Sequence, residues 1–312
     1  MPFAFVFPGQ GSQSLAMLAS VADEEDVRNT FGEASAVLGY DLWALTQTGP
    51  EERLNATEQT QPAMLAAGVA LWRLWRRRGG GEPQAVAGHS LGEFTALVCA
   101  SAVEFPAAVE LVRFRGRAMQ EAVPGGTGAM AAVLGLDDAQ VIQACSQAGA
   151  SGVVEAVNFN APGQVVIAGE RAAVERAIEA AKVLGAKRAV VLPVSVPSHS
   201  SLMRPAATQL AARLESIALA APRIPYVSAV DAEAHTDPAD IRALLVRQLA
   251  SPVRWQDTVR ALTARGLGLL IECGPGKVLT ALNRRIERRP EIQCAAIEDG
   301  ASIEAALTLS RT

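Results

Sequence analysis

The sequence predicts an α/β fold in two parts, a larger α/β domain and a smaller module inserted into it. In the larger part, short apolar runs such as Phe3–Phe7 and Ala85–Ala87 alternate with segments of helical periodicity, which is typical of buried strands connected by helices. Between a glycine-rich break at 124–128 and His199, the predicted order becomes strand, helix, strand, strand, helix, strand. That order is the ferredoxin-like split motif, so the inserted module is expected to form a sheet of its own.

The larger domain is expected to combine 1–126 with 195–312. A helix at 62–78 is predicted to begin at Pro62, because proline is favoured in the first turn. Arg76-Arg77-Arg78 followed by three glycines marks the end of that helix, since cations and glycine are favoured there. Strands are also predicted at 225–228 and 267–271. Helices are predicted at 24–38, 92–101, 105–122, 238–249 and 255–265, and two more are predicted to begin soon after His199 and at Lys277.

The insert is expected to span 127–194. Asp137-Asp138 opens its first helix, since acidic residues are favoured at a helix start. A turn signal at 160–163 separates its two central strands. The predicted strands are 129–134, 153–158, 164–168 and 187–194, and the predicted helices are 137–148 and 170–184.

Composition excludes several classes of protein. The chain has 312 residues, is 50% hydrophobic and 19% charged, and carries a net charge of −4, which argues against disorder and against a general nucleic-acid binder. Its four cysteines include no CxxC or metal-ligand spacing, so we expect reduced thiols and no metal. The N-terminal segment lacks a basic signal-peptide region, and no apolar run is long enough to cross a membrane. We therefore expect a soluble, cytoplasmic protein.

Gly88-His89-Ser90-Leu91-Gly92 matches the nucleophile elbow, in which a serine occupies a sharp turn between a strand and a helix. Glycines permit the tight backbone, and the amide after the serine can point at a developing oxyanion. As a bare pattern the motif also occurs by chance, so a structural turn serine is the alternative. A predicted strand before it and an apolar helix after it favour Ser90 as a nucleophile.

An activated serine needs a base, and the chain has only three histidines. His89 adjoins Ser90, so its side chain is expected to point away from that serine, and His235 lies in a polar, acidic turn. His199 follows a predicted strand and precedes a helix, where α/β proteins place functional loops. It is the base by elimination, with a structural loop histidine as the alternative. No acid is placed to orient it, and a carbonyl could do so.

Arg115 falls in the middle of the apolar stripe of the helix predicted at 105–122. An arginine that faces a core is costly unless an anion pairs with it. The pattern leaves two alternatives open, a buried Asp or Glu, or the anionic group of a ligand. In the second case the guanidinium would select an acyl group that carries its own carboxylate, because it can bind that carboxylate through two parallel hydrogen bonds.

Eight blocks, in order along nearly the whole chain, resemble the bacterial malonyl-CoA:acyl-carrier-protein transacylases of fatty-acid synthesis. The blocks are Phe5–Gln13, Thr60–Ala63, Gly88–Glu93, Arg115-Gly116, Asn158–Gln164, Val196–His199, Gln248 and Glu272–Leu279. The resemblance implies an α/β-hydrolase-like large domain with a ferredoxin-like insert. Val196-Pro197-Ser198 resembles the fatty-acid type, which favours malonyl over methylmalonyl. Ser101 stands where the family commonly has glycine, at a helix end away from the chemistry.

The same resemblance implies a catalytic dyad. Ser90 would carry the malonyl group as an ester, and His199 would be its general base and then the acid for the leaving thiol. Arg115 would hold the malonyl carboxylate, and the Gln248 carbonyl would orient His199. The implied reaction is a ping-pong transfer of malonyl from malonyl-CoA to the phosphopantetheine thiol of acyl carrier protein.

The resemblance also assigns residues that complete the pocket. The backbone N–H groups of Gln10 and Leu91 would form the oxyanion hole, and Gln61 would line the pocket near Ser90. No cofactor is implied, because CoA and phosphopantetheine thioesters are substrates, and we expect a monomer. The carrier protein of this family is acidic, so basic surface should meet it. Candidate docking residues are Arg76–Arg78, Arg284, Arg285, Arg288 and Arg289.

Other functions fit parts of the pattern. A malonyl loader for a polyketide pathway or a malonate decarboxylase would have nearly the same site residues. A serine thioester hydrolase fits the elbow equally well, but a carboxylate-selecting Arg115 and the missing acid fit it less well. A carrier-binding scaffold with a dead site disagrees with the intact Ser90, His199 and Arg115.

Overall fold

The computed structural model describes residues 1–194 and 196–311. The expected start of the second part of the larger domain, Ser195, and its end, Thr312, lie outside the described residues. In chain order the strands are β1 (Phe3–Phe7), β2 (Ala85–Gly88), β3 (Gly128–Leu134), β4 (Val154–Ala161), β5 (Gln164–Glu170), β6 (Arg188–Val191), β7 (Tyr226–Val227), β8 (Ala234–His235), β9 (Leu269–Cys273) and β10 (Gln293–Ile297).

The helices alternate with these strands in the larger part of the chain. They are α1 (Glu25–Leu38), α2 (Leu42–Thr48), α3 (Glu51–Leu54), α4 (Thr57–Arg77), α5 (Gly92–Cys99), α6 (Phe105–Glu121), α7 (Asp138–Ala148), α8 (Arg171–Val183), α9 (Arg204–Glu215), α10 (Pro238–Arg247), α11 (Trp255–Ala264), α12 (Val278–Ile286) and α13 (Gly300–Arg311). Within the described residues, no helix is both long enough and apolar enough to cross a membrane.

The larger sheet is built around β1, in the order β10-β9-β1-β2-β7-β8. All its pairings are parallel except that of β7 with β8. Phe3, Phe5 and Phe7 of β1 pack on one side of the sheet, where the helical layer includes α4. Ala4 and Val6 pack on the other side. A strand buried on both faces is expected in a parallel sheet covered by helices on both sides, so the predicted α/β fold is confirmed.

The smaller sheet is antiparallel, in the order β4-β5-β3-β6. With α7 between β3 and β4 and α8 between β5 and β6, it has the predicted ferredoxin-like order. One face packs on α7 and α8, and the opposite face carries a small apolar group that includes Met130 and the neighbouring Leu192 and Val194. Residues of that second face line the candidate active site.

The predicted start of α4 at Pro62 is wrong, because the helix begins at Thr57 and Pro62 lies inside it. Two contacts stabilise the added turn. The Gln120 side chain on α6 accepts a hydrogen bond from the Glu58 N–H at 2.7 Å, which satisfies one of the free amides at the helix start. Gly116, also on α6, lets the two helices approach, since a Cβ there would lie 2.7 Å from the Glu58 Cα.

Candidate active site

Ser90 lies in the turn between β2 and α5, with φ of 54°, an uncommon conformation for a residue other than glycine. The flanking glycines make this turn possible. A Cβ on Gly88 would lie 1.9 Å from the Gly92 carbonyl carbon, and one on Gly92 would lie 2.0 Å from the Phe7 carbonyl oxygen. The backbone therefore presents the Ser90 side chain at the carboxyl edge of the parallel sheet, where α/β proteins bind ligands.

His199 reaches Ser90 from the segment after β6. Its Nε2 lies 2.8 Å from the Ser90 Oγ, and its Nδ1 lies 2.8 Å from the Gln248 carbonyl oxygen. A carbonyl only accepts, so Nδ1 carries the proton and Nε2 is free to accept one from the serine. Burial, and then the charge of Arg115, lower the pKa of His199 to about 3. The imidazole is therefore neutral at pH 7, as a general base must be.

The buried Arg115 guanidinium is held by neutral acceptors. Nη1 donates to the Gln61 Oε1 at 2.9 Å, and Nη2 donates to the Gln248 Oε1 at 2.8 Å and to the Ser90 Oγ at 3.1 Å. The guanidinium also stacks over the Phe94 ring, 5.4 Å from its centroid. Its Nε is buried without a partner. Among the described residues, no carboxylate lies within ion-pair distance of Arg115, so the direct internal ion pair left open by the sequence is not formed.

Burial lowers the pKa of Arg115 to about 10, and the charge of Glu93 opposes that shift. The guanidinium is thus still protonated at pH 7. A buried cation with only neutral partners leaves a site where an anionic ligand group would be strongly favoured. The approach of α4 to α6 at Gly116 explains how Gln61 reaches this cation, one turn after the start of α4.

Gln10 and Leu91, the residues expected to supply oxyanion donors, both border the cavity at Ser90. Leu91 precedes the first residue of α5, and Gln10 follows β1. In the part of the chain that the structure describes, neither backbone N–H has a protein acceptor. The cavity encloses about 110 Å³ and is lined by Gln10, Gln61, His89, Ser90, Leu91, Arg115, Met119, Met130, Asn158, Leu192, Val194, Ser198 and His199.

Some contributors to this site were not predicted. The Gln248 side chain binds Arg115 and donates from Nε2 to the Ser90 carbonyl oxygen at 3.0 Å, whereas only its backbone carbonyl was expected to act. Met130 and Asn158 come from the smaller sheet, and the Asn158 Oδ1 is buried without a partner. The signal that could have pointed to Asn158 is its place in the Asn158–Gln164 block.

The other two histidines are placed elsewhere. His89 is buried beside the elbow, with Nε2 2.9 Å from the Asn160 Oδ1. His235 is only partly buried, and its Nε2 lies 3.2 Å from Asp231. Neither side chain is hydrogen-bonded to the Ser90 hydroxyl in the described part of the chain, which agrees with His199 as the candidate base. Residues 1–194 and 196–311 contain no group of three or more His, Cys, Asp or Glu side chains placed to hold a metal ion.

The two arginine clusters considered for carrier docking already have partners. Arg77 forms ion pairs with Glu24, Glu25 and Asp26, and Arg78 forms them with Glu24 and Glu304. In the second cluster, three arginines donate to backbone carbonyls: Arg284 to Cys294, Arg285 to Pro162 and Arg288 to Arg285. Arg285 also donates to the Gln164 side chain, and Arg289 donates to the Glu287 carboxylate.

Comparison with known proteins identifies the family of this chain. Residues 4–302 match the model of the acyl transferase domain. Malonyl CoA-acyl carrier protein transacylase of Salmonella typhimurium (strain LT2) is 57% identical, over 98% of this chain and 99% of that protein. An acyl carrier protein S-malonyltransferase from Vibrio cholerae is 54% identical with a TM-score of 0.95, over 98% of this chain and 100% of that one.

A third comparison is with a complex. The structure of a type II PKS acyl-carrier protein with its malonyl-transacylase contains a chain 55% identical to this one, with a TM-score of 0.97 over 99% of this chain and 100% of that chain. These matches extend over essentially the whole length of this chain. They include the sequence blocks around Ser90, Arg115 and His199. The chain therefore belongs to the acyl transferase family, in its group of malonyl CoA-acyl carrier protein transacylases, and is an acyltransferase.

Proposed function

We propose that the chain transfers a malonyl group from malonyl-CoA to the phosphopantetheine thiol of an acyl carrier protein, supplying fatty-acid synthesis. The observation that carries this proposal is a buried guanidinium that has no carboxylate partner among the described residues, in the same cavity as a serine hydrogen-bonded to a neutral histidine. A serine and a histidine alone support acyl transfer of any kind. The added cation favours an acyl group that ends in a carboxylate.

The first half-reaction acylates Ser90. His199 Nε2 takes the Oγ proton as Oγ attacks the thioester carbonyl carbon, and the backbone N–H groups of Gln10 and Leu91 stabilise the resulting oxyanion. When the tetrahedral intermediate collapses, the carbon–sulfur bond breaks and His199 returns the proton to the CoA sulfur. Gln248 stabilises the imidazolium formed in between, because its carbonyl accepts the Nδ1 hydrogen bond.

The second half-reaction reverses these steps with a different thiol. The carrier's phosphopantetheine thiol gives its proton to His199 and attacks the Ser90 ester, and Ser90 leaves with the proton restored. One site serves both steps, since CoA and the carrier present the same pantetheine arm. Throughout, Arg115 binds the malonyl carboxylate, with Gln61 and Gln248 holding the guanidinium in place. We further propose that the site lies between two domains, 1–126 with 195–312 and 127–194.

A second candidate is a malonyl loader for a polyketide pathway. It is favoured by one observation, the close likeness to a malonyl-transacylase whose partner is a type II PKS acyl-carrier protein. The chemistry at Ser90 would be the same, so only the carrier differs. Comparing transfer rates to a fatty-acid and a polyketide carrier protein distinguishes the two.

The decisive experiment follows labelled malonyl from CoA to protein and then to carrier. We expect one burst of free CoA without turnover, a malonyl adduct on Ser90, and transfer of the label when carrier is added. Ser90→Ala should abolish the adduct. Ser101→Ala is the matched control, because Ser101 is another serine with positive φ, 59°, and should leave labelling intact.

Two outcomes would contradict the proposal. A stable malonyl adduct on Ser90→Ala would place the nucleophile elsewhere. Continuous CoA release without an acceptor thiol would instead identify a thioester hydrolase.

A further inference from the structure

Gln248 hydrogen-bonds to all three residues of the proposed mechanism. Its backbone carbonyl accepts from His199, its Oε1 accepts from Arg115, and its Nε2 donates to the Ser90 carbonyl oxygen. The two ends of an amide have the same shape, so only hydrogen-bond partners decide which end faces the cation. If the amide were reversed, its NH₂ group would face the guanidinium, donor against donor.

Glu93 lies behind this amide, in the first turn of α5 and fully buried. Its backbone N–H donates to the Ser90 carbonyl oxygen at 3.0 Å, the same oxygen that the Gln248 Nε2 binds. Burial raises the pKa of the Glu93 carboxyl to about 8, and the nearby Gln248 amide opposes that shift. A carboxyl group keeps an acceptor oxygen even when it is protonated, so it favours the NH₂ end of the amide on its side and leaves Oε1 for Arg115.

The Glu93 carboxyl is itself held in place by donors from another element. The Tyr226 hydroxyl donates to Oε2, the Ser228 hydroxyl donates to Oε2 at 3.2 Å, and the Ala229 N–H donates to Oε1 at 3.1 Å. Tyr226 lies on β7, and the other two residues follow it. The carboxyl thus connects the elbow helix to the neighbouring strand of the parallel sheet and is fixed before any substrate arrives.

We propose that Glu93 is a positioning residue of this site: its buried carboxyl group orients the Gln248 amide, so that Oε1 faces Arg115 and Nε2 faces the Ser90 carbonyl. It acts on substrate only through Gln248. Its loss should therefore impair the use of the malonyl carboxylate more than acyl transfer in general. This inference rests on the proposed function, in which Arg115 selects malonyl.

The test measures kcat/KM for malonyl-CoA and for acetyl-CoA in the full chain, since their ratio does not depend on the folded fraction. Glu93→Met keeps the side-chain length and removes both acceptors. We expect it to lower the malonyl/acetyl ratio about tenfold, as for loss of a hydrogen bond to a charged group. Glu272→Met is the matched control. Glu272 is equally buried and its carboxyl is likewise held by protein donors, the backbone N–H groups of Leu279 and Thr280, and its loss should leave the ratio unchanged.

A double-mutant cycle tests the route through Gln248. Gln248→Met removes the amide but keeps the backbone carbonyl that binds His199, and it should lower the ratio by a similar factor. In that background Glu93→Met should have no further effect on the ratio. An unchanged ratio in Glu93→Met alone, or an equal loss with and without the Gln248 amide, would overturn the proposal.

Two further measurements cover the remaining cases. If Glu93→Met does not fold, Tyr226→Phe removes one donor to the carboxyl, and a severalfold fall in the ratio is expected. An unchanged ratio would then overturn the proposal. A crystal structure of the folded variant gives a readout independent of substrate, because the Gln248 amide should turn away from Arg115. An undisplaced amide refutes the positioning role, whereas wild-type protein without malonyl preference refutes the proposed function instead.

Discussion

Arginines in opposite environments lie at the two ends of helix α4. Near its start, Gln61 accepts a hydrogen bond from the buried Arg115, which has no carboxylate within ion-pair distance in the described residues. At its other end, about 24 Å away at 1.5 Å per residue, Arg77 and Arg78 each contact at least two carboxylates. Both regions looked like candidates for binding an anion. The presence or absence of carboxylate partners is what distinguishes them.

The difference follows from what burial costs. An exposed arginine can bind carboxylates or water with little change in free energy. A buried arginine without a carboxylate is much more costly, and Gln61, Gln248 and Ser90 offset only part of that cost by hydrogen bonding. The remaining free-energy cost of burial can be recovered when a negatively charged ligand group binds the guanidinium. Of these two regions, the one of functional interest therefore holds the buried cation that has no carboxylate partner among the described residues.

The largest effect in this comparison is expected for Arg115→Ala. Loss of hydrogen bonds to a charged carboxylate should lower kcat/KM for malonyl-CoA by roughly 10- to 150-fold, with a smaller effect on acetyl-CoA. Arg77→Ala is the matched control, since it removes an arginine that already has carboxylate partners, and it should not change the ratio. Initial rates of acyl-enzyme formation with both thioesters measure this. An unchanged malonyl/acetyl ratio in Arg115→Ala would make Arg115 a structural cation as well.

A second prediction uses the effect of Arg115 on His199. Burial and the guanidinium charge lower the pKa of His199 to about 3, so the imidazole stays unprotonated well below its ordinary range. The acid limb of kcat/KM for acetyl-CoA should therefore lie far below pH 6.5, with a flat profile between pH 8 and 5. In Arg115→Ala the cation is gone, the pKa of His199 rises, and the limb should move to higher pH. A wild-type inflection near pH 6.5 would contradict this assignment.

The proposed nucleophile and base could be selected from the sequence because their signals are local. The glycines around Ser90 are required by the turn itself, and His199 remained after two other histidines had been placed. The alternatives for Arg115 could not be decided from sequence, because one helix shows that a side chain is buried but not what lies opposite. The hydrogen-bond partners of Arg115 come from three other segments, namely α4, the turn between β2 and α5, and the turn after α10.

The errors in the predicted fold have a similar cause. The first turn of α4 precedes its proline and depends on Gln120 and Gly116 of another helix, contacts that no local pattern contains. Strand β10 was not predicted, and it is a partly exposed edge strand of the larger sheet. Asn158 enters the site only because the smaller sheet packs its apolar face over the cavity. Local patterns predicted elements and reactive groups, whereas tertiary packing determined their partners.

The smallest effect is expected at the other end of α4. Arg77→Ala removes contacts with Glu24, Glu25 and Asp26 on a partly exposed surface, and such pairs contribute roughly 0.2–1 kcal/mol each because water and salt screen them. We expect a small loss in the free energy of unfolding that shrinks at high salt, measured by urea denaturation, and unchanged transfer to carrier protein. A salt-dependent fall in carrier transfer by a fully folded Arg77→Ala would show that carboxylate-paired arginines also bind the partner. In that case the partners of an arginine would no longer distinguish a structural role from a binding one.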